Sequence, residues 1–140
     1  DGLALQWLRR LGLRAGLISG RVSVATEERA RQAGFAYVYQ GHLEKIPILD
    51  EILEKARLEP TQIGYIGDDL TDVVIMHRVG LAVATANAKP EVKAEAHHVT
   101  VAAGGRGAVR ETVELLLQAQ GRWAEILRHY EIPSPRPDAG

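Results

Sequence analysis

The sequence predicts an α/β fold in which a parallel, Rossmann-like sheet is flanked by helices. Short apolar runs of strand length alternate with longer segments that have the apolar spacing of helices. Several of these runs stop at glycine, serine or aspartate, which are residues that favour turns. Such alternation is typical of parallel, doubly wound sheets. With 140 residues, of which 46% are hydrophobic, the chain is long enough to bury a core.

The first four predicted elements are helix, strand, helix and strand. Residues 3–11 carry apolar side chains at helical spacing and end at a glycine. The apolar run 13–18 predicts a strand that stops at Ser-Gly-Arg. The charge-rich segment 22–33 predicts the second helix, which a glycine terminates. The apolar run 35–39 then predicts a strand that ends in Gln-Gly.

The next elements surround an apolar run at 64–66. A helix is predicted at 45–56, and a Pro-Thr turn separates it from this run, which has the character of a buried strand. A helix at 70–79 and a strand at 81–84 follow. The central strand of the predicted sheet is therefore the one at 64–66.

The C-terminal part of the chain predicts a helical turn at 90–96, a strand at 98–101 and a long helix at 108–119. We expect residues 1–130 to form one core domain. The proline-rich residues 131–140 are predicted to be a disordered tail, because they offer little to bury.

Two adjacent acids, Asp68 and Asp69, follow the predicted strand at 64–66, and Asp72 lies in the first turn of the next helix. Acids at the carboxyl end of a parallel strand stand where open α/β sheets keep their active sites. Neighbouring carboxylates repel each other unless a cation is present, and clustered oxygen ligands suit Mg²⁺. The sequence thus predicts a magnesium site, with helix capping by the acid pair as the alternative.

A hydroxyl and a lysine follow two other predicted strands. Ser19, with the amide of Gly20, is suited to bind a phosphate oxygen where a helix begins. Lys45 adds a cation near the same edge of the sheet. A serine helix cap and an ordinary exposed lysine are the simpler interpretations. Together with the acids, these side chains indicate an edge that holds a phosphate group and Mg²⁺.

In this order, Ser19, Lys45 and the acids of GDDLTD resemble the motifs of the haloacid dehalogenase phosphatase superfamily. A finer resemblance, to the 3-deoxy-D-manno-octulosonate 8-phosphate (KDO 8-phosphate) phosphatases, rests on LISGR, YVYQG, YIGDDLTD, VGLAVA and AAGGRGAVRE. GDDLTD is shared across the superfamily, whereas YQG combined with GGRGAVRE is much more specific. The resemblance implies Mg²⁺-dependent hydrolysis of a sugar acid phosphate, KDO 8-phosphate above all.

The resemblance also implies roles for individual residues. Ser19 and Lys45 would contact the transferring phosphoryl group. Asp68 would bind Mg²⁺ directly, while Asp69 and Asp72 would support the site without binding the ion. The implied substrate-binding residues are Asp1, Gly2, Ser19, Gly20, Arg21, Arg29 and Lys45.

The nucleophile of this family and its acid/base partner lie in an Asp-x-Asp-Gly motif at the end of the first strand, and no Asp-x-Asp occurs in this sequence. In the family fold that strand would lie between the strands that end at Ser19 and at Asp68. Without it, backbone groups there would remain unpaired. We therefore expect the chain to be the C-terminal portion of a longer enzyme, lacking the N-terminal strand and flap, and to be inactive alone.

Three alternatives to this function differ in strength. Gln6 stands where a basic residue is usual in the family, which leaves room for a sialic-acid-type 9-phosphate phosphatase. A non-catalytic remnant that keeps the fold is a second alternative. A phospho-receiver domain is disfavoured, because its acid pair would precede the hydroxyl and the lysine in the chain.

The C-terminal loop at 104–111 (GGRGAVRE) would, by the same resemblance, close over the site. Its Arg110 and Glu111 would form a structural ion pair. The family resemblance further implies a homo-oligomer, namely a tetramer, in which a neighbour helps to form the substrate site. The predicted helix at 3–11 is a plausible contact surface unless its apolar face belongs to the core.

Charge and composition bound the remaining partners. The net charge of −1 creates no field toward nucleic acid or an anionic membrane, and no apolar run is long enough to span a bilayer. The absence of cysteine excludes disulfides, thiolate zinc sites and a cysteine nucleophile. It also fits a reducing cytosol, so we expect a cytoplasmic protein.

Overall fold

The computed structural model of the protein describes residues 2–41 and 44–133 of the chain. Asp1 and most of the predicted tail, residues 134–140, lie outside these ranges. Within them, helices alternate with short strands, and 3₁₀ turns cover Pro60–Gln62 and Leu70–Asp72. The helices and strands are, in chain order, α1 (Gly2–Arg10), β1 (Gly16–Ser19), α2 (Val24–Gln32), β2 (Tyr37–Gln40), α3 (Ile46–Ala56), β3 (Gly64–Gly67), α4 (Val73–Met76), β4 (Leu81–Ala84), α5 (Pro90–Lys93), β5 (His98–Val99), α6 (Ala108–Ala119) and α7 (Trp123–His129).

The strands pair in parallel, but they form two sheets rather than one. β1 pairs with β2, with Ser19 opposite Gln40. β3, β4 and β5 form the second sheet, in which Gly67 lies opposite Ala84. In the described part of the chain, β1 and β3 are not paired with each other. The predicted α/β class with parallel strands is therefore confirmed, whereas the described residues do not form one continuous sheet.

The two sheets share one hydrophobic cluster. Its buried members include Ile75 and Met76 of α4, and Ala82 of β4. Ile18 of β1 and Tyr65 of β3 pack against this same cluster from the two sheets. Burial of these apolar side chains therefore helps to hold the two sheets together, although no strand ladder joins β1 to β3 in the described residues.

A second cluster joins both ends of the described chain. Trp7 of α1 meets Trp123 of α7 edge to face, with the ring centroids 5.3 Å apart, and its Nε1 donates to the Tyr130 hydroxyl at 2.9 Å. The buried members of this cluster are Ala4, Trp7, Leu8, Val113, Leu117 and Ile126. The apolar face of α1 is therefore core, as the alternative interpretation held, and is not available as a contact surface.

The turn after β3 differs from its prediction. Instead of a continuous helix at 70–79, the chain makes the 3₁₀ turn Leu70–Asp72 and then the short helix α4. The side chains of Asp69 and Asp72 cap this turn by accepting backbone amides, which favours the tighter conformation. α7 was not predicted, since so short a helix depends on its tertiary contacts.

None of the helices in the described ranges is long and apolar enough to cross a membrane.

Candidate active site

A buried ion pair between Lys45 and Asp72 lies at the centre of the site. Lys45 directly precedes α3, and Asp72 ends the 3₁₀ turn that follows β3. Lys45 Nζ lies 2.6 Å from Asp72 Oδ1, and the two side chains are only 9% and 7% exposed. Burial of two charges is tolerated when they are closely paired and have further hydrogen bonds. The predicted lysine and one predicted acid are thus in direct contact.

Both oxygens of the Asp72 carboxylate accept hydrogen bonds. Oδ2 accepts the backbone amides of Asp68 at 2.9 Å and of Asp69 at 3.1 Å. Oδ1 accepts the hydroxyl of Tyr65 at 2.6 Å in addition to the ammonium of Lys45. Asp72 therefore orients Lys45 and shapes the turn that carries the acid pair.

This arrangement sets the charge of the buried groups. Burial raises the pKa of Tyr65, and the neighbouring carboxylate raises it further. Burial would also raise the pKa of Asp72, but the hydrogen bonds from Lys45, Tyr65 and two backbone amides outweigh it and hold the pKa below its ordinary value. At neutral pH the site therefore contains a carboxylate beside a protonated phenol.

Gly67 makes room for this carboxylate. A Cβ placed on Gly67 would lie 2.5 Å from the Cβ and 2.8 Å from the Cγ of Asp72, which is closer than carbon atoms approach without a bond. Because glycine has no side chain, Asp72 can reach back to the amides that follow β3. The glycine that marked the strand end in the sequence is therefore required by packing.

The two acids after β3 use their side chains differently. Asp69 Oδ1 accepts the amide of Leu70 at 2.7 Å, so the capping interpretation is confirmed for Asp69. Asp68 is exposed, and its carboxylate has no hydrogen bond or ion pair within the described ranges. Mg²⁺ commonly binds through one or two carboxylates and completes its coordination with water and phosphate oxygens. Asp68 fits the role of such a carboxylate.

Asp68 could not hold a metal ion alone. Among residues 2–41 and 44–133, no three His, Asp or Glu side chains converge as a metal site. Asp69 and Asp72 are engaged with backbone amides and Lys45, as described above. Any ion at Asp68 would therefore need oxygen ligands from elsewhere, such as water and the phosphate group of a substrate.

Ser19 is the last residue of β1 and is not a helix cap. Its Oγ accepts the amide of Arg21 at 3.2 Å. The cap of α2 is Ser23, whose Oγ accepts the amide of Thr26 at 3.2 Å. The cap interpretation of Ser19 is therefore wrong. Gly20 and Arg21 are exposed beside it at the end of the strand.

The carboxyl ends of both sheets meet at one edge. Lys45 follows the end of β2 and bonds to Asp72, which follows the end of β3. Ser19 ends β1, the partner of β2. In the described structure no hydrogen bond joins Ser19 to Lys45 or Asp72. The hydroxyl and the lysine therefore follow or end neighbouring strands and are not hydrogen-bonded to each other.

Gly2 and Arg29 lie apart from the Lys45–Asp72 ion pair. Both line a groove of about 530 Å³ between α1 and α2, together with Gln6. Lys45 is not among the residues that line it. The structure thus brings two predicted substrate contacts together, but does not join them to the lysine. Asp1, the remaining predicted contact, lies outside the described residues.

A carboxylate holds the segment before the glycine-rich loop. Glu111 accepts the amides of Val101 and Ala102, each at 3.0 Å, and its Oε2 lies 3.1 Å from His98 Nε2. The amide of Ala102 lowers the pKa of Glu111 most; partial burial opposes this, and the Val101 amide and His98 lower the pKa further. Glu111 is therefore an anionic anchor for this segment.

The predicted ion pair between Arg110 and Glu111 is wrong. Arg110 Nε lies 3.6 Å from Glu114 Oε1, and its guanidinium stacks 5.1 Å from the ring centre of Trp7. Adjacent residues on a helix point in different directions, so they face different partners. Arg110 faces the core cluster around Trp7, whereas Glu111 faces the loop.

The residues after β4 link this loop to the acid turn. Asn87 Oδ1 accepts the amide of Gly104 at 2.9 Å, and the amide of Thr85 donates to the carbonyl of Gly67 at 3.3 Å. Thr85 Oγ1 is the one buried side-chain N or O atom in the described ranges that has no hydrogen-bond partner. The glycine-rich loop therefore begins at the same edge of the sheet as the acids.

The sequence interpretation missed Tyr65 and Asn87. Tyr65 stands within the apolar run at 64–66, and the available signal is that a buried tyrosine usually finds a partner for its hydroxyl. Asn87 comes shortly after the end of β4, as Asp68 follows β3, but its side-chain oxygen accepts a backbone amide distant in sequence. Nothing in the local pattern identified that amide.

A sequence model of the haloacid dehalogenase-like hydrolases matches residues 23–110, which include Lys45, Asp68 and Asp72. The chain therefore belongs to the haloacid dehalogenase-like hydrolase family. It is 40% identical over 125 residues to the 3-deoxy-D-manno-octulosonate 8-phosphate phosphatase KdsC of Salmonella typhi. That alignment covers 89% of this chain and 66% of the relative, so the chain spans slightly less than two thirds of the relative's length.

Solved structures show the same relationship. The 3-deoxy-D-manno-octulosonate 8-phosphate phosphatase from Yersinia pestis is 40% identical, with a TM-score of 0.83, over 85% of this chain and 64% of that one. The enzyme from Moraxella catarrhalis, solved with magnesium, phosphate and KDO, is 33% identical with a TM-score of 0.89, over 93% and 75%. The cobalt-bound form from Haemophilus influenzae is 34% identical with a TM-score of 0.83, over 86% and 71%.

Proposed function

We propose that this chain forms the phosphate- and metal-binding part of a phosphatase that hydrolyses a sugar acid phosphate, KDO 8-phosphate in particular, to the sugar acid and phosphate. The buried Lys45–Asp72 pair beside the exposed Asp68 is the observation that carries this proposal. The similarity to KDO 8-phosphate phosphatases supports the substrate class. Relatives solved with magnesium or cobalt support a divalent ion, and we propose Mg²⁺.

In this proposal the chain's residues neutralise and position the phosphoryl group, which is most of what phosphoryl transfer requires. Lys45, held by Asp72, directs its ammonium at the phosphoryl oxygens. The Ser19 hydroxyl and the Gly20 amide donate to the same group from the end of β1. An Mg²⁺ ion that binds Asp68 would supply further positive charge for these oxygens.

The remaining predicted substrate-binding residues would contact the sugar acid part of the substrate. Gly2, Arg21 and Arg29 would surround the anionic substrate, together with Asp1. Arginine suits this role because its planar guanidinium can bind a carboxylate or a phosphate at two points. Asp69 would keep the acid turn in shape through its hydrogen bond to Leu70.

We further propose that the nucleophile is an aspartate outside these 140 residues. Its carboxylate oxygen would bond to phosphorus while the ester P–O bond breaks, and the sugar oxygen would leave with a proton from the acid/base partner. Water would then hydrolyse the aspartyl-phosphate. The absence of an Asp-x-Asp pair and the lack of a ladder between β1 and β3 in the described residues support this proposal. The 140-residue chain alone would be inactive.

The test is a phosphatase screen of the complete protein against sugar acid phosphates in the presence of Mg²⁺. We expect Lys45→Ala to lower kcat by about 10²–10³-fold, because it removes a charge aimed at the transition state. Lys55→Ala is the matched control, since Lys55 lies on α3 and pairs at the surface with Tyr39 and Glu51. An equal rate for wild type and Lys45→Ala would refute the proposed role.

The substrate panel also decides between the two sugar acids. Gln6, which lines the groove beside Arg29, leaves open a sialic-acid-type 9-phosphate phosphatase. Higher kcat/KM for KDO 8-phosphate than for a sialic acid 9-phosphate would support the first proposal. The opposite ratio would favour the second, and hydrolysis of neither would favour a non-catalytic remnant. The cytoplasmic location stays a prediction.

A further inference from the structure

The hydroxyl of Tyr65 bridges the two charges of the buried ion pair. It donates to Asp72 Oδ1 at 2.6 Å and accepts from Lys45 Nζ at 3.3 Å. Tyr65 lies in β3, with its ring against the core cluster that contains Ile75 and Met76. A phenylalanine could fill the same apolar space, so packing alone does not explain the hydroxyl.

The hydroxyl completes the partners of Asp72. A carboxylate has room for about four hydrogen bonds, and Asp72 receives four, from two backbone amides, Tyr65 and Lys45. The amides belong to the backbone turn, so they hold Oδ2 in place. Among residues 2–41 and 44–133, Tyr65 is the one neutral side chain that helps to hold Oδ1, the oxygen that receives Lys45.

The same hydroxyl limits where Lys45 can point. An ammonium has three N–H donors. Asp72 and Tyr65 take two of them, and the side chain is 9% exposed, so the ammonium reaches the edge of the site in a restricted direction. The third donor is then left for a group outside the pair, such as a phosphate oxygen.

We infer that Tyr65 is a positioning residue, which fixes the Lys45 ammonium through Asp72 and through its own oxygen for contact with the phosphoryl group. This inference rests on the proposed function for the identity of the group that Lys45 contacts. It adds a residue that has no direct contact with substrate to the machinery of the site. Tyr65 is not itself catalytic.

The test variant is Tyr65→Phe in the complete protein, which keeps the ring and removes the hydroxyl. Tyr37→Phe is the matched control. Tyr37 is the first residue of β2, at the end of the strand away from Lys45, and its hydroxyl accepts a hydrogen bond from Arg14. We expect kcat to fall about tenfold in Tyr65→Phe and KM to rise only a few-fold, since the transition state needs the fixed charge more than the bound phosphate group does. Tyr37→Phe should match wild type. Thermal unfolding of each variant shows whether it is folded at the assay temperature.

A double-mutant cycle separates positioning from mere loss of structure. In a Lys45→Ala background, Tyr65→Phe should have no further effect on kcat, because the group that it positions is gone. An undiminished effect there would overturn the inference, as would wild-type kcat in the single variant Tyr65→Phe.

A second readout does not depend on catalytic activity. It is the affinity for inorganic phosphate in the presence of Mg²⁺, measured by calorimetry. We expect Tyr65→Phe to weaken this binding several-fold and Tyr37→Phe to leave it unchanged. Weaker binding in a protein that hydrolyses no sugar acid phosphate would refute the proposed reaction while supporting the role of Tyr65. Unchanged phosphate affinity in Tyr65→Phe, whether or not the wild type turns over, would overturn the inference.

Discussion

At the scale of single residues, the acids after β3 have separate tasks because of the direction in which the turn carries them. Asp72 points back into the protein, where it is buried and accepts four hydrogen bonds. Asp69 accepts the next amide in the chain. Asp68 remains exposed at the strand end. The residue best placed to meet a solvent-borne cation is therefore the first of the three.

The corresponding prediction is that Asp68→Asn weakens Mg²⁺ binding in the complete protein by on the order of tenfold or more, because a ligand loses its charge. Calorimetric titration with Mg²⁺ measures this directly, and the Mg²⁺ concentration that gives half-maximal activity should rise in parallel. Asp50→Asn, at an exposed position of α3, is the control. Equal affinity in wild type and Asp68→Asn would show that the ion binds elsewhere.

At the scale of elements, the connection from β5 to α6 is held by side chains rather than by a ladder. β5 has two residues, and beyond it Glu111 of α6 accepts the amides of Val101 and Ala102. Asn87 then accepts the amide of Gly104. The glycine-rich loop starts from this segment, so its position at the edge of the sheet depends in part on one carboxylate and one side-chain amide.

The prediction at this scale concerns acid stability. The pKa of Glu111 is lowered in the folded state from its ordinary value of 4.5, so its stabilising contribution is present above that value and is lost as the pH falls through the folded pKa. Glu111→Gln should therefore make the free energy of unfolding depend less on pH as the pH falls below 4.5 toward the folded pKa. Denaturant titrations across this range measure the difference.

Glu114→Gln is the matched control, because Glu114 lies on the same helix and pairs with Arg110 in partly exposed positions. It should retain the wild-type pH dependence. A Glu111→Gln variant with the same pH dependence as wild type would contradict the anchoring role.

At the scale of the whole molecule, two small sheets are joined by a shared core and by one buried ion pair. Ile18 and Tyr65 pack on the same cluster from different sheets, and Lys45 reaches Asp72 across the boundary. The strand edges of β1 and β3 that face this boundary have no ladder partner in the described residues. The candidate site therefore lies where the two sheets meet.

We predict that the complete protein is a tetramer, as the family resemblance implies. Val22 and Val24, which follow the exposed Arg21, are 77% and 80% exposed, and apolar residues so placed favour contact with another chain. Light scattering at micromolar concentration should show the tetramer. Replacing both valines by serine should shift the protein toward smaller species.

Ile132→Ser, at another exposed apolar position, is the control for this experiment. It should leave the distribution unchanged. A wild-type protein that is monomeric at these concentrations would rule out the tetramer.

The sequence by itself determined the fold class, and it predicted the edge of the sheet at which the candidate site lies. Strand and helix periodicity are local properties, so the order of elements could be predicted, with strand ends displaced by a few residues. A group at or shortly after the end of a strand lies near that strand's carboxyl end, which is why Lys45, Ser19 and Asp68 are predicted at one edge. Glycine is required at position 67, at the end of β3, because a side chain there would collide with Asp72.

Only the tertiary structure decided which groups meet. Lys45 and Asp72 are 27 residues apart, and their contact, like that of Glu111 with the segment before the glycine-rich loop, depends on how whole elements pack. The local pattern could show that a tyrosine stood in β3, but not that its hydroxyl would reach a buried carboxylate. Side-chain partners depend on packing between distant segments, and no periodicity along the chain records that packing.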